Sequence, residues 1–238
     1  YIQPDLASSP SSTAGHFAQI RDAYADIGLT ANNEYRIRVG QSKVPFGFEN
    51  MQSSQNRLPL DRNDALNSSV SNERDLGAFF YWAPAKTRKL FSSLVSDGLK
   101  GSGDYGVFAF GLYNGQTANK TEANNKAHAV VRLSYPFEIK NQIIETSIQA
   151  YKGEYVLTAD QLSTNVKINK TKGYTDERVA ASFILYPKPF GIQAEYNIGR
   201  GPQFNKLTDS IEVTNLRGGY ITASFKKNVG KPVIIPFS

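Results

Sequence analysis

Polar and apolar side chains take turns along residues 126–137, KAHAVVRLSYPF. Lys126, His128, Arg132 and Ser134 hold even positions; Ala127, Val131, Leu133, Tyr135 and Phe137 hold odd ones. Successive side chains of a strand point to opposite faces, so the segment is predicted to be a strand with one apolar face and one basic, hydrated face. The pattern recurs at 34–40 (EYRIRVG), 105–113 (YGVFAFGLY), 142–151 (QIIETSIQAY), 177–185 (ERVAASFIL), 191–199 (GIQAEYNIG) and 220–225 (YITASF). Its parity puts Arg36, Arg38, Lys126, Arg132 and Arg178 on polar faces, with His128 among them. Helical periodicity is nearly absent, and only 88–99 (RKLFSSLVSDGL) suggests a short helix, so the chain is predicted to be all-β.

The connections carry a second pattern. Short turns are expected at 30–33, 140–141, 187–189 and 228–231, and long polar connections at 49–74, 117–125, 156–173 and 200–213, with 85–104 long where a short one is due. Alternating short and long connections suit an up-and-down antiparallel barrel. Tyr81, Trp82, Tyr135, Phe137 and Tyr186, each near a proline, gather at the short-turn end, as an aromatic girdle at a membrane interface would. The alternative for the same alternation is a soluble β-sandwich. Apolar faces about 9–12 residues long match a tilted membrane strand and favour the barrel.

Composition changes this picture little. The chain has 238 residues, no cysteine and a formal charge of +6. The surplus is modest and scattered: it suits small anions, and there is no dense basic tract to indicate nucleic acid. Mean hydropathy is −0.40 and no run reaches the length of a membrane helix, which does not argue against a barrel. The first residues lack the basic start and apolar core of a signal peptide.

Isolated motifs point to no further chemistry. GSGDYG (101–106) matches a dinucleotide-binding spacing but precedes a strand instead of a helix, and so reads as a turn. DGLKGSGD (97–104) lacks the spacing of a calcium loop, and the Asn-x-Ser/Thr matches at Asn67, Asn119 and Asn169 fall in Asn-rich loops. Neither His16 nor His128 builds a hydrolase site: His128 shares its face with Lys126 and Arg132, and His16 reads as a loop-side residue. No catalytic residue, metal or cofactor is expected.

The stretches RVGQSKVPFGFEN (38–50), NERDLGAFFYW (72–82), GLKGSGDYGVFAFGLYNGQ (98–116) and RLSYPFEI (132–139) before QIIETSIQAYKGEY (142–155) resemble the phosphate-selective porins of the O and P type. The likeness runs from about residue 16 to the end. It implies a transmembrane barrel of sixteen strands in a bacterial outer membrane, a homotrimer among lipid, and passage of small anions. About ten strands are expected here within one domain over 1–238, the last of them (PVIIPFS) unfinished, with at least one strand missing before residue 16. In such porins a long loop narrows the barrel. Here 49–74 is the candidate, with Arg57, Arg62 and Arg74 facing the permeating ion and Asp61, Asp64 and Glu73 able to cancel them. The predicted pore-lining set is thus Arg36, Arg38, Arg57, Arg62, Arg74, Lys126, His128, Arg132 and Arg178. A barrel acting as a non-conducting scaffold in a larger complex is the alternative.

Overall fold

The computed structural model describes residues 1–8, 16–70, 73–158, 161–230 and 232–238. Ten strands lie in chain order in one antiparallel sheet: β1 (Ile2–Ser8), β2 (His16–Gly28), β3 (Tyr35–Lys43), β4 (Arg74–Trp82), β5 (Phe108–Tyr113), β6 (His128–Ile139), β7 (Gln142–Val156), β8 (Gly173–Leu185), β9 (Phe190–Asn205) and β10 (Ser210–Phe225). A two-residue pair, β11 (Lys227–Asn228) and β12 (Val233–Ile234), follows. Three helices interrupt the series: α1 (Phe48–Met51), α2 (Asp64–Asn67) and α3 (Ala85–Ser96).

The pleat sorts side chains inside out. On β6, Val131, Leu133, Tyr135 and Phe137 are exposed, whereas His128, Arg132 and Ser134 are buried. On β7 to β9, Ile148, Val179, Phe183 and Ile198 are exposed, while Glu145, Gln149, Arg178, Glu195 and Asn197 are buried. A soluble sandwich would show the reverse, with apolar residues inside. A continuous exposed apolar face is what a membrane wall presents.

The sheet curls. Six strand spacings of about 4.8 Å separate β3 from β9, roughly 29 Å along the sheet. Phe48 stands five residues past the end of β3, a reach of about 17 Å. Even so, its N–H meets the Glu195 carboxylate of β9 at 2.6 Å. Only a strongly curved sheet brings the two within range, with residues 44–70 inside the curve.

Two segments fill that interior. From one end, Phe46, Leu66 and Val70 pack on Tyr81, Val130, Tyr151 and Ala180 of the inner wall, with Phe46 edge-on to Tyr151 at 4.9 Å. From the other end, Phe91, Leu94 and Leu99 of the α3 connection pack on Phe48, Ile143, Ile184 and Tyr186. The segments meet where the Gln52 side-chain amide donates to the Lys100 carbonyl at 2.6 Å.

Several expectations change. The stretch 200–213 is not a long loop: β9 and β10 stay paired to Asn205 and Ser210, closed by a turn in which the Asn205 side chain accepts from the Leu207 N–H. Its residues look loop-like because a strand that outruns the apolar band has no need of apolar outward residues. A strand does precede residue 16, at Ile2–Ser8. It escaped notice because Pro4 breaks the pattern; the register shifts at that residue, and at the edge of the described sheet a missing donor is tolerated. His16, read as loop-side, opens β2 at the end away from the short turn that follows Gly28. Tyr81 and Tyr186 leave the girdle: both are buried, and the Tyr186 hydroxyl donates to Glu145 at 2.6 Å. PVIIPFS does begin pairing beyond β10, where Ser238 and Ala223 exchange both backbone hydrogen bonds.

Candidate pore site

Two cavities flank the inserted segment, and both are predominantly basic. The first, about 240 Å³, lies between residues 51–56 and the wall of β1 to β4; its charged residues are Arg38, Lys43, Arg74 and Asp22. The second, about 390 Å³, lies on the other side toward β10, with Arg57, Lys100, Lys226 and Asp97. Among its lining residues each has three cations and one carboxylate.

In the first cavity every cation is held in place. Arg38 makes a fork with Asp26, both bonds 2.7 Å, and its guanidinium sits 3.9 Å from the centre of the Tyr24 ring. Arg74 forks onto Asp22 at 2.9 and 3.0 Å and donates a third bond to Glu73 at 2.6 Å. Lys43 donates to the carbonyls of Asn50 and Met51 at 3.1 and 3.3 Å and to that of Gln52, tying the end of β3 to the turn after α1. Such bidentate pairs fix geometry as well as charge. Arg62 borders the same cluster through Glu73 at 2.6 Å. Burial lowers the Arg62 pKa, against the opposing pull of Glu73. Glu73 thus answers Arg62 and Arg74 together, with Lys43 at 3.8 Å; with Asp22 and Asp26 counted, four cations face three carboxylates.

The remaining predicted residues have separate settings. Arg57 makes no ion pair among the described residues, and its Nε and Nη1 are buried without a hydrogen-bond partner. Arg36 pairs with Asp104 at 2.9 Å, and Asp104 also holds Arg88, so the 101–106 turn is a charged latch. Arg132 faces inward as parity requires but is only 2% exposed, sealed under the inserted segments and paired with Glu145 at 3.0 Å. Lys126 lies before β6, exposed, and pairs with Glu154 at 2.8 Å. His128 and Arg178 border a third cavity, about 290 Å³, together with Asp75 and Asp176, so its charge does not favour anions. The His128 ring is a packing element: a Cβ on Gly153 would stand 2.0 Å from it. Arg178 anchors α2, donating to the Ala65 carbonyl at 3.2 Å and the Ser68 hydroxyl at 2.8 Å.

Sequence reasoning missed Asp22, Lys43, Lys100 and Lys226. Lys43 falls on the odd, outward parity of β3, but Ser42 and Lys43 are both buried, so alternation has already failed where the strand turns into the loop. Lys100 and Lys226 lie outside the strands and had no face to assign.

An antiparallel meander with an apolar outer face, a polar inner face and a segment folded into its curve defines the wall of a porin-type barrel. The family model described as phosphate-selective porin O and P matches residues 1–228, and the chain belongs to that family. No curated protein matches it.

Proposed function

We propose that this chain forms an outer-membrane channel through which small oxyanions, phosphate foremost, diffuse passively. The carrying observation is the surplus of cations beside the inserted segment: Arg57, Lys100 and Lys226 against Asp97 in one cavity, and Arg38, Lys43, Arg62 and Arg74 against Asp22, Asp26 and Glu73 around the other. Fixed cations in a narrow, poorly hydrated passage raise the local anion concentration and repel cations. Arginine forks match the geometry of oxyanions; those of Arg38 and Arg74 are taken by Asp26 and Asp22, whereas Arg57 keeps Nε and Nη1 without a protein partner. Several weak contacts in series, as at Arg38, Lys43 and Arg74, let an ion leave as readily as it enters. No bond is made or broken, so no catalytic residue or cofactor has a role. Assembly as a homotrimer among lipid belongs to the same reading and rests on the family resemblance.

One observation favours a second reading. The interior is filled by packed side chains from both inserted segments, as in a barrel that scaffolds a complex without conducting. Planar-bilayer recording separates the two. Under a chloride gradient, and then a phosphate gradient, the reversal potential is expected to lie on the anion side. Silent membranes, or a potential on the cation side, would reject the channel.

A further inference from the structure

The outer face of β7 to β10 has a feature that conduction does not use. Lys152, Glu177 and Arg200 lie side by side in one cross-strand row, and Arg217 stands one outward position below, beside Ile198. All face outward. Glu177 is already satisfied, by Lys152 at 3.1 Å and by Arg200. Arg217 has no carboxylate within ion-pair distance among the described residues. Directly below the row is a groove of about 570 Å³ floored by Gly199 and walled by Val179 and Ile198. A second groove, about 610 Å³, lies one row below, where Ala181, Ala194 and Gly219 leave space beside Tyr196, Phe183 and Ile221.

The position of this row on the wall matters. Arg200 lies eight residues beyond Ile192 in β9, roughly 27 Å along the strand. At a tilt near 40° that is about 20 Å along the membrane normal, close to the edge of an apolar band about 25 Å tall. The row is at the end carrying the long 157–172 connection, the outward end of such barrels. A cation facing lipid without a counter-charge is costly, and an apolar groove of small residues exposes backbone unless something fills it.

We propose that this face is a binding site for a phosphate-bearing lipid of the outward leaflet. Lys152, Arg200 and Arg217 hold the phosphate head, and the groove over Gly199 and Gly219 takes an acyl chain. Three cations around one occupied carboxylate leave a net positive charge for the head, and the groove gives the tail its own volume; the site thus fits an amphiphile and not a free ion.

The test is native mass spectrometry of the detergent-solubilised full chain titrated with lipid A bearing both phosphates, with dephosphorylated lipid A in parallel. The phosphorylated form is expected to bind about tenfold or more tightly than the dephosphorylated one. R200A/R217A should lose that difference. E177Q, which removes the competing carboxylate, should raise retention several-fold, and K188A, at a distant turn, should change nothing. E177Q and R217A alone keep the test decisive if the double variant does not fold. Equal retention of the two lipids, unaltered retention by R217A, or displacement by inorganic phosphate would overturn the proposal. So would loss of an oligomer in R217A with lipid retention intact, which would make the patch a contact between copies of the chain.

Discussion

Arg74 holds its charge between two carboxylates, and that arrangement sets what its loss should do. Arg74→Ala leaves Asp22 and Glu73 without their forked donor in a buried site, a cost of about 3–5 kcal/mol where one partner of a buried pair is removed. It also converts a basic cavity into one with a bare carboxylate. Anion-over-cation permeability should therefore fall in bilayer recordings, while Asp22→Asn should raise it and Lys188→Ala should leave it unchanged. Glu49 makes a different prediction at the same scale. It accepts the Asn63 N–H at 2.7 Å, yet burial raises its carboxyl above the ordinary 4.5. A carboxyl raised in the folded state contributes stability that is present below the unfolded value and is lost as pH rises through the folded one. The thermal midpoint of the wild type should drop as pH rises above the ordinary 4.5 and through the raised value, and that of Glu49→Gln should not.

At the scale of elements, the inserted segment is a strut pinned at both ends. The Glu195 carboxylate accepts the N–H groups of Phe48 and Glu49 and the Tyr220 hydroxyl. Asn197 and Arg178 both hold the Ala65 carbonyl at the other end. Glu195→Ala should release α1 from the wall. Single-channel conductance should then rise and selectivity fall, because the ion would pass farther from Arg38 and Lys43. Phe48→Ala should act in the same direction and cost about 3–5 kcal/mol, since Phe48 is fully buried against Phe91 and Tyr186. The strands make a separate prediction. Spin labels at Val131, Leu133 and Tyr135 should be quenched by oxygen dissolved in lipid. Labels at Arg132 and Ser134 should be shielded from oxygen and from water-soluble quenchers alike, because the inserted segments cover the inner face. Loss of the two-residue period in this scan would refute the register of β6.

At the scale of the whole molecule, the position of a charge decides whether salt can silence it. Surface charges are screened over about 8 Å at physiological ionic strength, whereas charges in a narrow, partly dry interior are screened far less. Selectivity due to Arg38, Lys43 and Arg74 should persist as salt concentration rises. A reversal potential that collapses toward zero at high salt would move the selectivity determinants to exposed residues such as Lys126.

Much of this architecture was legible from alternation alone, because lipid on one side of a strand and protein on the other impose a period of two that propensity does not blur. Strand type and inward parity at Arg36, Arg38, Arg132 and Arg178 follow from it, whereas the importance of the long loop comes from its length and the family resemblance. Alternation could not extend past the apolar band, so the β9–β10 turn was lost; Pro4 interrupted it in β1; and it could not reach segments without a periodic face, so Lys100 and Lys226 were unseen. The sequence alone thus determined which residues face lipid, since that depends on neighbours two positions away. Only the tertiary structure decided which inward cations border a cavity and which are sealed, since that depends on where residues 44–70 and α3 come to rest across strands as far as 150 positions away. The same distant packing covers Arg132, although its partner Glu145 is a neighbour in the β6–β7 hairpin.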